Sequence, residues 1–171
     1  MKRLSPFRLW LYRIVAARLP ETRAFGLKAR LPRWCGAEVG RNVRINSSAV
    51  VSGTARLRIG DNVWIGPGCR IYPTGGGDVS IGSNVDLAPE VMIVTGSHEV
   101  AVGAERAAGR GCSAPVVVGD GCWLCTRATV LKGVDIPPQT VVAAGAVVVR
   151  SVSDRPGGMW AGVPAKAVAR A

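Results

Sequence analysis

The chain has 171 residues, enough for one domain with its own core and little room for a second. It is rich in Val, Gly and Ala, poor in Phe and Tyr, and carries 22 Lys and Arg against 11 Asp and Glu, a formal charge of +11. Such a balance suits nucleic acid, anionic lipid or an anionic small ligand. Residues 39–171 lack the basic aromatic face or helix-turn-helix pattern of a nucleic-acid binder, which puts that class last.

The charge is uneven. Residues 1–38 hold nine Lys and Arg against Glu21 and Glu38, a net +7; the remainder holds 13 against 9, only +4. Within the basic segment, "PFRLWLYRIVAARL" reads as a short helix. Arg8, Arg13 and Arg18 lie five apart, so on a helix they fan around instead of sharing a face. That weakens a membrane anchor and favours a cap over the first turn of the remaining chain, with transient contact to anionic lipid as the lesser role. The charged start resembles a signal peptide, but arginines break its apolar run and no small-residue cleavage site comes after it. No apolar run reaches the roughly 18–20 residues of a membrane span. The five cysteines form no framework of spacings. A cytoplasmic protein with reduced thiols is expected, its basic segment reaching at most the inner face of the cell membrane.

From Val39 onward the sequence repeats every six residues. Aliphatic residues fall at Val39, Ile45 and Val51, at Ile59 and Ile65, at Ile81, Leu87 and Ile93, and without a break at Val118, Leu124, Val130, Ile136, Val142 and Val148. The fifth position of each hexad is always small or β-branched, from Val43 and Ala49 to Cys122, Ala128 and Val134. Gly often fills the second, as at Gly40, Gly60, Gly66, Gly82 and Gly119. A fixed short period is the mark of a stacked solenoid. The C-x-x-C at Cys122 and Cys125 results from the same period: Cys122 is a fifth position and Cys125 a second position. No second pair completes a zinc set, so both thiols read as packing.

This repeat resembles that of the hexapeptide-repeat acyltransferases. The resemblance implies an all-β fold: a left-handed parallel β-helix of about five triangular coils starting near Val39, Ile59, Ile81, Val118 and Ile136. The expected layout is a helical N-terminal cap over 1–38, the β-helix over 39–153 with an inserted loop at 99–117, and a C-terminal tail over 154–171. Two residues are inserted before Ile59 and about four around "PTGGGD" (73–78). Sixth positions point outward beside corners. The grouping stacks Arg44, Trp64, Asp86, Trp123 and Val141 at the first corner, and Arg56, His98, Asp135 and Ser153 at the third. Asp86 is therefore expected one coil from Trp123, and Asp135 one coil from His98.

His98, in "IVTGSHEV", is the only histidine. Together with "APVVVGDGCWL", this segment resembles the active-site region of the galactoside, maltose and capsule-type sugar O-acetyltransferases. The resemblance implies that His98 is a general base for direct acetyl transfer from acetyl-CoA to a hydroxyl of a sugar or polysaccharide precursor. It further implies a homotrimer with sites between subunits, where Trp123 and Asp86 of a neighbour approach His98. Asp135, Asp86 and Glu99 each fit the role of orienting the imidazole. By match, Thr126, Ala144, Gly145, Arg150, Lys166 and Arg170 are expected to hold coenzyme A, through backbone amides and cations. "AGVPAK" resembles the family's C-terminal end. One histidine excludes the three-His zinc site of the γ-type carbonic anhydrases, so no metal is expected. The acceptor-binding Asn of the galactoside enzymes has no counterpart in "GPGCRIYPTGGG". Acetylation of an antibiotic or an amino group is the neighbouring alternative, and a non-catalytic scaffold the alternative of another class.

Overall fold

The structure, a computed structural model, describes residues 2–151 and 157–168. Three parallel sheets wind around one core. The first stacks Glu38–Val39, Leu57–Ile59, Val79–Ile81, Val116–Val118 and Asp135–Ile136. The second stacks Arg44–Ile45, Trp64–Ile65, Asp86–Leu87, Trp123–Leu124 and Thr140–Val142. The third stacks Val50–Val51, Arg70–Tyr72, Met92–Val94, Thr129–Val130 and Val147–Val148. The coil starts fall in the expected order. Beyond the five coils, Gly158–Ala161 adds one more parallel rung beside Thr140–Val142, and Lys166–Val168 folds back on it antiparallel.

Each strand of the five coils turns at least one aliphatic inward, and identical positions stack. Ile45, Ile65, Leu87, Leu124 and Val142 form one such ladder, all buried. Removing each from water contributes about 1.5–3 kcal/mol. The insertions spare this pattern because side chains alternate with period two. The rung from Asn42 to Asn62 spans 20 residues and that from Asn62 to Asn84 spans 22, so the added residues are even in number and the inward face is kept.

The corners depend on a position the period alone does not expose. Asn42, Asn62, Asn84, Gly121 and Gln139, the fourth residues of successive first-corner hexads, all have φ between 52° and 68°. The left-handed region admits Asn and Gly most readily. Asn42 Nδ2 donates to Asn62 Oδ1 (3.0 Å), and Asn62 Nδ2 to Asn84 Oδ1 (3.1 Å), so this corner also carries an amide ladder. At the second corner Gly68, Glu90, Arg127 and Gly145 play the same conformational part. There Arg127 pairs with Glu90 and holds its carboxyl below the usual range, chiefly through the side-chain hydrogen bond.

Helices α1 (Pro6–Ala16) and α2 (Phe25–Trp34) cover the start of the solenoid. Pro6 opens α1, where its missing N–H costs nothing. The Leu4 N–H donates to the Ala55 carbonyl (3.2 Å), and Phe25 packs edge-on against Trp64. Lys28 is fully buried; its Nζ donates to the carbonyls of Pro20 (3.0 Å) and Glu21 (2.6 Å) and to Ser47 Oγ (3.3 Å). Burial lowers its pKa, opposed by Glu21. No helix among the described residues is long and apolar enough to cross a membrane.

Candidate active site

The longest interruption of the coil is a two-stranded arm. Gly96–Val100 pairs antiparallel with Ala108–Ser113, in register His98↔Gly111 and Ser97↔Cys112. The chain therefore leaves the solenoid at Gly96, three residues earlier than the expected loop, and Val116–Val118 already belongs to the next coil. This changes the company His98 keeps. Asp135 pairs with Val117, in the ladder that also holds Ser80 and Arg58. It does not stack beside His98, because His98 sits on the arm and not on a rung. Arg58, not Arg56, takes the outward place in that ladder, since Leu57 and Ile59 both turn inward. Ser153 lies outside the described residues.

His98 Nδ1 lies 2.9 Å from the carbonyl oxygen of Gly109, across the arm. A carbonyl only accepts, so Nδ1 carries the proton and Nε2 is left as the acceptor. Within the chain the partner of Nδ1 is thus a backbone carbonyl. The imidazole borders an open cleft of about 480 Å³ whose walls are small and polar: Thr74, Gly75, Gly96, Ser97, Gly111, Cys112 and Ser113.

The opposite wall of that cleft is the "PTGGGD" insertion, which within the repeat is only a break in frame. Ser113 Oγ accepts from the Gly76 N–H (3.0 Å), and Thr95 Oγ1 accepts from the Thr74 N–H (2.8 Å). Buried Thr95 donates in turn to the Tyr72 carbonyl (3.1 Å), so the arm and the insertion are fastened together. A Cβ on Gly96 would sit 2.5 Å from Thr74 Oγ1, and one on Gly77 2.5 Å from Thr95 Cβ. Close approach of the two walls requires glycine at Gly96 and Gly75, where a Cβ would come within 2.8 Å of the facing side chain. The run of three glycines beside a Thr, at the edge His98 leaves from, was the available signal.

Asp86 and Trp123 pair in register on adjacent coils as expected, both exposed. Neither lies on the arm. Thr126, Ala144 and Gly145 gather, exposed, at the second corner of the last coils, where the Gly145 N–H donates to the Thr126 carbonyl (2.9 Å). The φ of +68° at Gly145 is that corner's requirement, and a Cβ there would meet nothing; the glycine serves the turn. Ala165 N–H donates to the Val147 carbonyl (2.8 Å), which brings exposed Lys166 to the same end. Arg150 is exposed just beyond Val147–Val148. Arg170 lies outside the described residues. Cys122 is buried with its thiol on the Pro137 carbonyl (3.1 Å), and burial pushes both its pKa and that of Cys125 up, away from nucleophilic use.

No protein-family model matches the chain. Over 125 residues it is 33% identical to an Escherichia coli protein provisionally named colanic acid biosynthesis acetyltransferase WcaF, covering 73% of this chain and 65% of that one. It is 29% identical over 136 residues to the galactoside O-acetyltransferase of the same organism, covering 77% and 63%. Among solved structures, a hexapeptide-repeat-containing acetyltransferase of Vibrio cholerae complexed with acetyl coenzyme A superposes with a TM-score of 0.79 at 22% identity, over 96% of this chain and 85% of that one. The chain has the fold of the hexapeptide-repeat acetyltransferases. That fold is a left-handed parallel β-helix. A galactoside acetyltransferase in complex with coenzyme A has the same fold, with a TM-score of 0.68 at 20% identity, over 96% of this chain and 79% of that one. The chain spans just under two thirds of the length of the curated relatives it matches first.

Proposed function

We propose that the protein transfers acetyl from acetyl-CoA to a hydroxyl of a sugar or polysaccharide precursor, with His98 as general base. The observation that carries this reading is the 2.9 Å contact between His98 Nδ1 and the Gly109 carbonyl. The Gly109 carbonyl holds the proton on Nδ1, so Nε2 is a ready acceptor at the border of an open polar cleft. Nε2 takes the proton of the acceptor hydroxyl as its oxygen attacks the thioester carbonyl. The tetrahedral adduct collapses, the carbon–sulfur bond breaks, and the imidazolium returns its proton to the departing thiolate of coenzyme A. No acyl-enzyme is needed. Relatives named as acetyltransferases, two of them for galactoside and colanic acid chemistry, support the donor and the class of acceptor.

Thr126, Ala144, Gly145, Arg150, Lys166 and Arg170 are assigned to coenzyme A, whose phosphates suit backbone amides and cations. Trp123 and Asp86 are assigned to a neighbouring subunit's site in a homotrimer, which their exposure on one face supports. Asp135 pairs with Val117 and is not assigned to orienting His98 in this reading. The reaction is assigned to the cytoplasm.

The test is thiol release from acetyl-CoA against sugars, sugar nucleotides and aminoglycosides. His98→Ala is expected to lower kcat by about 10²–10⁴ with coenzyme A binding unchanged. An active acceptor whose turnover survives that substitution would remove His98 from the mechanism. Turnover on aminoglycosides alone would favour the antibiotic alternative, and none on any acceptor the scaffold.

A further inference from the structure

The two N-terminal helices carry an apolar surface that the acetyl-transfer reading does not use. Within α1, Leu9, Tyr12 and Ala16 are buried against the solenoid. On the other side Phe7 (68% exposed), Trp10 (57%) and Ile14 (39%) face outward, with Phe7 and Trp10 stacked. These recur at i, i+3 and i+7, so they form one stripe roughly opposite the buried one. At about 100° per residue, Arg8 and Arg13 fall on the two flanks of this outer stripe. Arg13 and Arg18 border, with Trp10 and Ile14, a groove of about 610 Å³ between the helix and the first coil. Trp34 of α2 is 46% exposed and lies under the Arg8 guanidinium, which extends the surface. No acidic residue occurs before Glu21.

The fanning of the arginines, which at first sight argues against a membrane role, therefore has the opposite meaning once the buried side is known. One arginine stands on each margin of an aromatic stripe, in a segment with no acidic residue before Glu21. Aromatic rings seek the headgroup level of a bilayer, and flanking cations meet anionic headgroups.

We infer that the outer face of α1 docks the protein in the plane of an anionic phospholipid surface, with Phe7, Trp10 and Ile14 entering the interface and Arg13 and Arg18 on the lipid phosphates. The docking is peripheral and reversible, since one short helix face is a weak anchor.

The full chain is spun with sucrose-loaded vesicles of phosphatidylcholine alone or mixed equally with phosphatidylglycerol, and its mass is measured by light scattering. Sedimentation with the mixed vesicles only, falling about tenfold or more in the Phe7→Ser/Trp10→Ser double variant and clearly in Arg13→Gln/Arg18→Gln at unchanged mass, supports the inference. Arg58→Gln, an exposed cation elsewhere, should bind as the parent does. Three results would overturn it: no sedimentation with mixed vesicles, binding undiminished by the double serine variant, or a loss of subunits in that variant. The last would make the stripe a contact between copies of the chain. A failed acetyl-transfer assay leaves these readouts untouched.

Discussion

Burial sets the chemistry of the thiols one residue at a time. The Cys35 and Cys69 thiols are pushed from 9.0 to about 11, in each case mainly by desolvation. At pH 8 only about one in a thousand of such groups is thiolate. An aromatic disulfide reagent should therefore leave Cys35, Cys69 and buried Cys122 untouched in the native protein and titrate all five in guanidinium. The same shift has a consequence for stability. A pKa raised on folding contributes stability that is whole below the unfolded value and is lost as pH rises to the folded one. Thermal stability should accordingly decline between pH 9 and about pH 11, and Cys69→Ala should flatten part of that decline. The two cysteines of the C-x-x-C were legible as packing because the period of six assigned them to different positions. The hydrogen bond from His98 to Gly109 was not legible, because nothing periodic links residues on the two strands of the arm.

Within the solenoid, each rung is determined by the one before it. Positions one, five and six could be read directly, because inward aliphatics, small corners and outward side chains each leave a compositional trace. The fourth position leaves a fainter one, in Asn and Gly, and it bears the left-handed turn. Asn62 tests this element. Asn62→Gly keeps the conformation and loses two exposed side-chain hydrogen bonds, so a small loss of stability is expected. Asn62→Val also forces a β-branched residue to positive φ, at a further cost of about 1–2 kcal/mol. Chemical denaturation of both variants distinguishes the two contributions; equal losses would mean the amide ladder alone matters. The misplacement of Asp135 beside His98 belongs to this scale too. Counting hexads through an insertion assumes that the chain re-enters where it left, whereas the arm carries His98 off the rung.

At the scale of the whole molecule, the solenoid has an open start that α1 and α2 close. The first strands pair with strands of the next coil on one edge, while α2 lies at the other, where Arg33 Nε donates to the Val39 carbonyl (2.9 Å); bared edges invite pairing with other chains. Deletion of residues 1–34 should therefore yield a protein that elutes as large aggregates, with the repeat otherwise intact by circular dichroism. An unaggregated product would confine the segment to surface duties. The helix itself was legible from the sequence; its outward stripe was not, because which side of a helix is outer depends on what the other side meets.

The arm that holds His98 bears on how this fold admits change. A regular rung closes a loop of 18 residues, whereas the rung that spans the arm closes one of 37, as in the bond from the Ser83 N–H to Asp120 Oδ1. The entropy of closure grows only with the logarithm of length, so doubling the loop costs about 0.6 kcal/mol. Residues can thus be added to or removed from the arm with little change in the free energy of the solenoid, while the walls of the cleft beside His98 are rebuilt. The shape of that cleft can therefore change almost independently of foldability.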